Sequence, residues 1–145
     1  MGQVTNDKIR RVLATGDYVE KRNMLSSLAD WFEYPDPDIK GFDEIINLLI
    51  DFVVESDDDK LKQEAFDAIV MAQFAQNMEN IDFSKIEANV ENASPNTQSR
   101  FIDVLGYTFD RKYLPTILRY KDHENPVVRE SVYDVMEEFG LIKPE

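Results

Sequence analysis

The sequence predicts an all-α protein built as about four helical hairpins stacked in chain order. Three observations carry that prediction. Apolar residues recur at three- and four-residue spacing along almost the whole chain. Cap-forming residues and prolines open the segments, and glycines or proline-rich breaks close several of them. Finally, no two strand-like runs face each other. "DFVVE", residues 51–55, could be a strand alone, but it has no partner of its kind. A length of 145 residues suits one domain, residues 1–145. A helical core of that size holds without disulfide or metal staples.

The elements follow in order. The first pair of helices covers residues 6–14 and 18–32. "EYPDPDIKG", residues 33–41, breaks the pattern with two prolines and a glycine. In "FDEIINLLIDFVV", Ile45, Ile46, Leu49 and Val53 form a stripe. "DDDKLKQEAFDAIVMAQFAQNM", residues 57–78, continues with Leu61, Ala65, Ala68, Ile69 and Ala72 in register. Its acidic start suits the positive end of the helix dipole. Asp82 or Ser84 opens a short helix containing Ile86 and Val90. Ser94 and Pro95 open "NTQSRFIDVLGYTF". Asp110 precedes "RKYLPTILRY", where Tyr113, Leu114, Ile117 and Leu118 share a side and Pro115 falls in the first or second turn. Asn125 caps the last helix and Pro126 takes its first position. Val128, Val132, Val135, Met136 and Phe139 form its stripe, and Gly140 closes it in a left-handed conformation.

An internal period links these helices. Val128, Val132, Val135 and Met136 match Thr97, Phe101, Val104 and Leu105 at an offset of 31 residues, and Leu61, Ala65, Ala68 and Ile69 at an offset of 67. The first pair fits more loosely, through Leu25, Leu28 and Ala29. One hairpin cannot bury its apolar face alone, so neighbours must cover it.

"YLPTILRYKDHENPVVRESVYDVMEEFG", residues 113–140, resembles a HEAT repeat. Leu114, Pro115, Ile117 and Leu118 fit the family's first helix. Asp122 and Asn125 fit its turn, and Val128 and Arg129 fit the Val-Arg pair that opens its second helix. Val132 stands where the family often has alanine, a departure that widens the local helix spacing. Leu61 and Lys62 replace the Val-Arg pair in the second unit, and Thr97 and Gln98 replace it in the third. The resemblance implies a short right-handed α-solenoid of a kind that mostly binds other macromolecules.

Charge sets the class of partner. The chain carries 29 acidic and 16 basic residues, a formal net charge of -13. That balance repels nucleic acid and anionic membrane and favours a basic protein, although acidity also serves solubility alone. In the repeat register Asp134 aligns with Asp103 and Asp67. If second helices line the inner face, these three aspartates form a column that Glu64, Glu130 and Glu137 thicken. Phe66, Ile102 and Tyr133 flank it. They read first as packing between repeats, with Tyr133 kept as a candidate contact residue.

Other functions lack their residues. There is no cysteine, and one histidine, His123, does not supply a histidine-based metal cluster within one chain. His123 lies in a turn beside Asp122 and Glu124 and is expected to face solvent. "SDDD", residues 56–59, lacks the spaced ligands and glycine of a calcium loop. No glycine-rich phosphate loop occurs. The expectation is a protein without enzymatic activity or cofactor. The first 17 residues have no secretion-type apolar core, and Asn6 stands where the myristoylation motif begun by Met1 and Gly2 needs serine or threonine. "IINLLIDFVV" is interrupted by Asn47 and Asp51, so no stretch reads as a membrane span and a cytoplasmic protein is expected.

Small size, absence of cysteine, acidity and a compact helical solenoid resemble bacterial toxin-immunity proteins. The resemblance implies an inhibitor that masks a basic toxin, foremost a nuclease, whose substrate-binding face must be basic. The alternative is a general adaptor or scaffold of the HEAT type.

Overall fold

The computed structural model describes residues 5–143. Among them every regular element is helical: α1 Asn6–Thr15, α2 Tyr18–Phe32, α3 Phe42–Glu55, α4 Asp59–Ala75, α5 Ser84–Asn89, α6 Pro95–Gly106, α7 Leu114–Leu118 and α8 Pro126–Glu138. A single 3-10 turn, Arg111–Tyr113, precedes α7. The myristoylation motif at Gly2 lies outside the described residues. The chain divides into two compact units, Met1–Asp82 and Phe83–Glu145.

In the first unit α2 packs most extensively on α4, and α3 also packs on α4. The α4 stripe explains the closeness of these packings. Ala65, Ala68 and Ala72 are fully buried, and three small side chains let backbones approach while Ile69 fills the space between them. From α2, Leu25, Leu28 and Phe32 are fully buried, as are Ile45, Ile46, Leu49 and Val53 of α3. Each such large side chain contributes roughly 1.5–3 kcal/mol by leaving water. Phe32 meets the Phe42 ring edge-on, with centroids 5.3 Å apart.

Capping fixes where these helices begin. Asp17 and Glu20 form a reciprocal capping box at α2, and the Asp58 carboxylate accepts the Leu61 N–H at α4. The start of α3 has no side-chain cap and uses Gly41 at φ 66° instead. There the Asn6 amide donates to the Gly41 carbonyl (3.3 Å) and to Glu44 Oε2 (2.8 Å). Arg10 also pairs with Glu44. The Asn6 hydrogen bond, against a smaller cost of burial and with help from Arg10, holds the Glu44 carboxyl below its usual value. The chain α1–Asn6–Gly41–Glu44 thus sets how α1 meets the start of α3.

The helix of residues 57–78 is shorter than its sequence pattern. It stops at Ala75 because Gln76 turns its side chain to the proline-rich connection. The Gln76 amide donates to the carbonyls of Phe32 (3.1 Å) and Tyr34 (2.7 Å), and its oxygen accepts the Asp36 N–H (3.1 Å). One glutamine thereby satisfies the carbonyl of the last residue of α2 and two backbone groups of the proline-rich connection.

In the second unit α6 packs on α8, while α5 and α7 each pack on α6. Thr116 Oγ1 donates to Glu87 Oε2 (2.8 Å) and the Phe83 N–H donates to the Tyr113 hydroxyl (3.3 Å), which ties α7 to the α5 region. The "RKYLPTILRY" helix shrinks to a 3-10 turn and a five-residue helix with Pro115 at its start, so no proline bend arises. The last helix follows its sequence grammar closely. Asn125 Oδ1 accepts the Val127 N–H (2.9 Å). At the other end Gly140 sits at φ 70°, its N–H reaching the Glu137 carbonyl (3.0 Å) while the Leu141 N–H reaches Met136 (2.8 Å). That pair of bonds is the Schellman closure.

Gly41 yields a direct test of the first unit. Its left-handed backbone disfavours a side chain, and a Cβ there would collide with the Asn6 side-chain amide. Gly41→Ala should lower unfolding stability by about 1–3 kcal/mol, measured by urea denaturation. A stability equal to that of the parent would show that the Asn6 clamp is not rigid.

Candidate protein-binding face

The site grows from an unusual strip of α6. Thr97, Gln98 and Ser99 are all buried, as is Ser131 on the facing helix α8. Each needs a partner, since a buried polar group without one costs about 1–3 kcal/mol. Gln98 Nε2 donates to the Val90 carbonyl (3.0 Å) and Thr97 Oγ1 accepts from the Ser94 hydroxyl (3.3 Å). The Ser99 and Ser131 hydroxyls lie 2.6 Å apart. Ser131 also hydrogen-bonds the Asp103 carboxylate. An ionised carboxylate only accepts, so Ser131 donates to Asp103 and receives its own hydrogen bond from Ser99. Asp103 ends this relay, half-buried, one turn after Ser99.

Beside it the helices come unusually close. A Cβ at Gly106 would lie 2.5 Å from Val135 Cγ2, so only glycine fits there. Around that contact opens a notch of about 130 Å³, lined by Asp103, Gly106 and Tyr107 from the α6 end and by Asp134, Val135, Glu137 and Glu138 from α8. Asp103, Asp134 and Glu138 lie within electrostatic reach of the Tyr107 phenol, and Glu137 adds to the acidic lining.

The electrostatics agree with that crowding. Burial is the main force raising the Asp103 carboxyl above its usual value, and the charges of Asp134 and Glu130 add to it. The Ser131 hydrogen bond and Arg100 oppose them. Burial, then the negative charges of Asp103, Asp134 and Glu138, push up the Tyr107 phenol, which stays a neutral hydrogen-bond donor at neutral pH. The notch therefore carries an excess of negative charge, only partly offset by Arg100.

The residues expected from sequence fall out unevenly. Asp103 and Asp134 do come together across α6 and α8, with Glu137 in the same lining and the exposed Glu130 within electrostatic reach. Glu64 and Asp67 belong to α4 of the first unit, both half-buried, and Gln63 Nε2 approaches Asp67 Oδ1 at 3.5 Å. Phe66 and Ile102 are core, 1 % and 0 % exposed, as their flanking position suggests. Tyr133 is not, being 43 % exposed, so the packing role read from the repeat register does not apply to it. His123 is half-buried rather than facing solvent. Its Nδ1 accepts the Asn125 N–H (3.0 Å) and its carbonyl accepts from Arg129 (2.7 Å), so it organises the turn before α8.

Sequence reasoning missed Ser99, Ser131, Tyr107 and Glu138. The signal was present in part. Ser99, Asp103 and Tyr107 follow one another at four-residue spacing, as do Asp134 and Glu138.

No family model, no curated protein and no solved structure matches the chain. Among the described residues no group of three histidine or carboxylate side chains is arranged to hold a metal, and no helix is long and apolar enough to cross a membrane.

The raised Asp103 value has a consequence for stability. The folded state holds this proton more tightly than the unfolded chain, whose aspartates titrate near about 3.9. Stability attributable to Asp103 is therefore full below that value and is lost as pH rises through the higher folded value. Asp103→Asn keeps an acceptor for Ser131 and removes the charge. Thermal melts across acid to neutral pH should show a flatter profile for the variant and a melting temperature at about pH 7 no lower than the parent's. A variant that melts well below the parent at neutral pH would contradict the assignment.

Proposed function

We propose that the protein is a short right-handed α-solenoid that binds and neutralises a basic partner protein, foremost a nuclease toxin, in the manner of an immunity protein. The observation that carries the reading is the notch between α6 and α8, lined by Asp103, Asp134, Glu137 and Glu138 together with Tyr107. Holding these charges together disfavours the free protein, since Asp103 is desolvated among like charges. A lysine or arginine entering the notch would reverse that penalty. It would also meet Tyr107, and the exposed Tyr133 offers apolar area on the same helix as Asp134. The net charge of -13 speeds encounter with a basic protein and slows it with salt. Glu64 and Asp67 on α4 carry the same function in this reading as further acidic contacts. The protein acts in the cytoplasm, where such a toxin would meet its substrate, and it neither catalyses a reaction nor uses a cofactor.

Affinity capture with purified protein as bait, from the cells that make it, tests the reading. One basic protein should be retained in stoichiometric amount. Asp134→Lys with Glu138→Lys reverses two exposed charges at the notch while sparing the Ser131–Asp103 bond, so helicity should persist and retention should fall about 100-fold or more. Several unrelated partners retained equally by both baits would refute the inhibitor reading.

A further inference from the structure

The first unit carries a second concavity that differs in chemistry from the notch. It is a groove of about 480 Å³ where the α1–α2 and α3–α4 connections meet. Its floor is apolar: Leu13 from α1, Phe52 from α3 and Leu61 from α4, with Tyr18 at the first turn of α2. Its rim is acidic, with Glu55, Asp57 and Asp58 against the single ammonium of Lys21 among the lining residues. Tyr18 is 41 % exposed and its neighbour Val19 is 53 % exposed, so apolar surface continues beyond the groove.

The local structure needs only part of this chemistry. Asp58 is committed to capping α4, through Leu61 N–H at 3.0 Å, and the Ser56 hydroxyl accepts the Asp58 N–H at 3.1 Å. Glu55 and Asp57 have no such duty. Glu55 is exposed at the C-terminal end of α3, where the helix dipole disfavours a carboxylate. Leu13 (9 % exposed) and Leu61 (4 % exposed) are nearly covered at the base of the groove, so the apolar area left open lies at the half-buried Phe52 and at Tyr18, beside the two carboxylates.

We propose that this groove docks a basic, apolar-anchored segment of a partner protein: one leucine-like side chain against Phe52 and Tyr18, with flanking lysine or arginine side chains at Glu55 and Asp57. Charge complementarity chooses this occupant. The three rim carboxylates repel phosphates of nucleic acid and anionic lipid, and the apolar floor gives a bare polyamine nothing to cover. The volume lies in the range of ligand-binding clefts. The proposal rests on the reading of the chain as a binder of basic protein, yet it uses a different surface from the α6–α8 notch.

Backbone amide NMR with defined probes tests it without the natural partner. The probe is a capped hexapeptide alternating lysine and leucine. Its controls are the lysine–serine and glutamate–leucine counterparts and spermidine. The lysine–leucine peptide, at about 1 mM, should shift amides near residues 13–21 and 52–61. The lysine–serine peptide and spermidine should bind about tenfold more weakly or not at all, and the glutamate–leucine peptide should leave these amides unmoved. Glu55→Lys with Asp57→Lys, both exposed and with lysine favoured at the end of α3, should fold normally and lose the peptide. Equal shifts with spermidine would reduce the groove to charge screening and overturn the proposal. Absence of shifts with the lysine–leucine peptide would overturn it too. Neither result bears on capture through Asp134 and Glu138, so the two readings fail separately.

Discussion

Between α6 and α8 the side chain of Val135 fills the space that any side chain at position 106 would need. That approach brings the hydroxyls of Ser99 and Ser131 within 2.6 Å and lets Ser131 reach Asp103. The same closeness leaves Asp103 half-buried while Asp134 and Glu138 stand across the crossing. A larger residue at 106 would push the helices apart, and the hydroxyl relay and the notch would be lost together. One missing methyl group is thus the condition for concentrating negative charge where water is partly excluded.

The first unit solves its packing by a comparable economy. Three buried alanines of α4 admit the bulk of α2 and α3, and Gly41 admits the Asn6 side chain. The polar contacts that fix geometry are few and long-range: Asn6 with Gly41 and Glu44, and Gln76 with Phe32, Tyr34 and Asp36. Gln76 provides partners for backbone groups around the proline-rich connection, while Asn6 adds a second donor to a Gly41 carbonyl that already accepts the Ile45 N–H. Charge is left to the surfaces, in the groove and on the rim of the notch, where it can serve a partner at little cost to the core.

Much of the helical pattern was legible because its causes are local. The stripes through Ile45, Ile46, Leu49 and Val53, through Leu61, Ala65, Ala68, Ile69 and Ala72, and through Val128, Val132 and Val135 are all buried. Asn125 and Gly140 end α8 as their chemistry demands. What sequence could not reveal depends on residues far apart in the chain. Gln76 ends α4 for the sake of a connection about forty positions earlier, so periodicity alone overran the helix. His123 is drawn inward by the turn it braces. At the site, a register of 31 residues paired Asp103 with Asp134, but the serines that hold Asp103 in place are 32 apart and fell outside it. Tyr133 shows the reverse failure, since alignment with two core positions did not make it core.

The account turns on one aspartate whose charged form is disfavoured by burial and by neighbouring carboxylates more than the Ser131 hydrogen bond and Arg100 favour it. Carbon-13 NMR titration of the Asp103 side-chain carboxyl in the free protein measures that balance directly. The account predicts a midpoint clearly above the ordinary aspartate value of about 3.9, reflecting burial first and the charges of Asp134 and Glu130 second. A midpoint at or below that value would mean that Ser131 and Arg100 fully compensate the carboxylate, and the notch would then hold no stored repulsion for a basic partner to relieve.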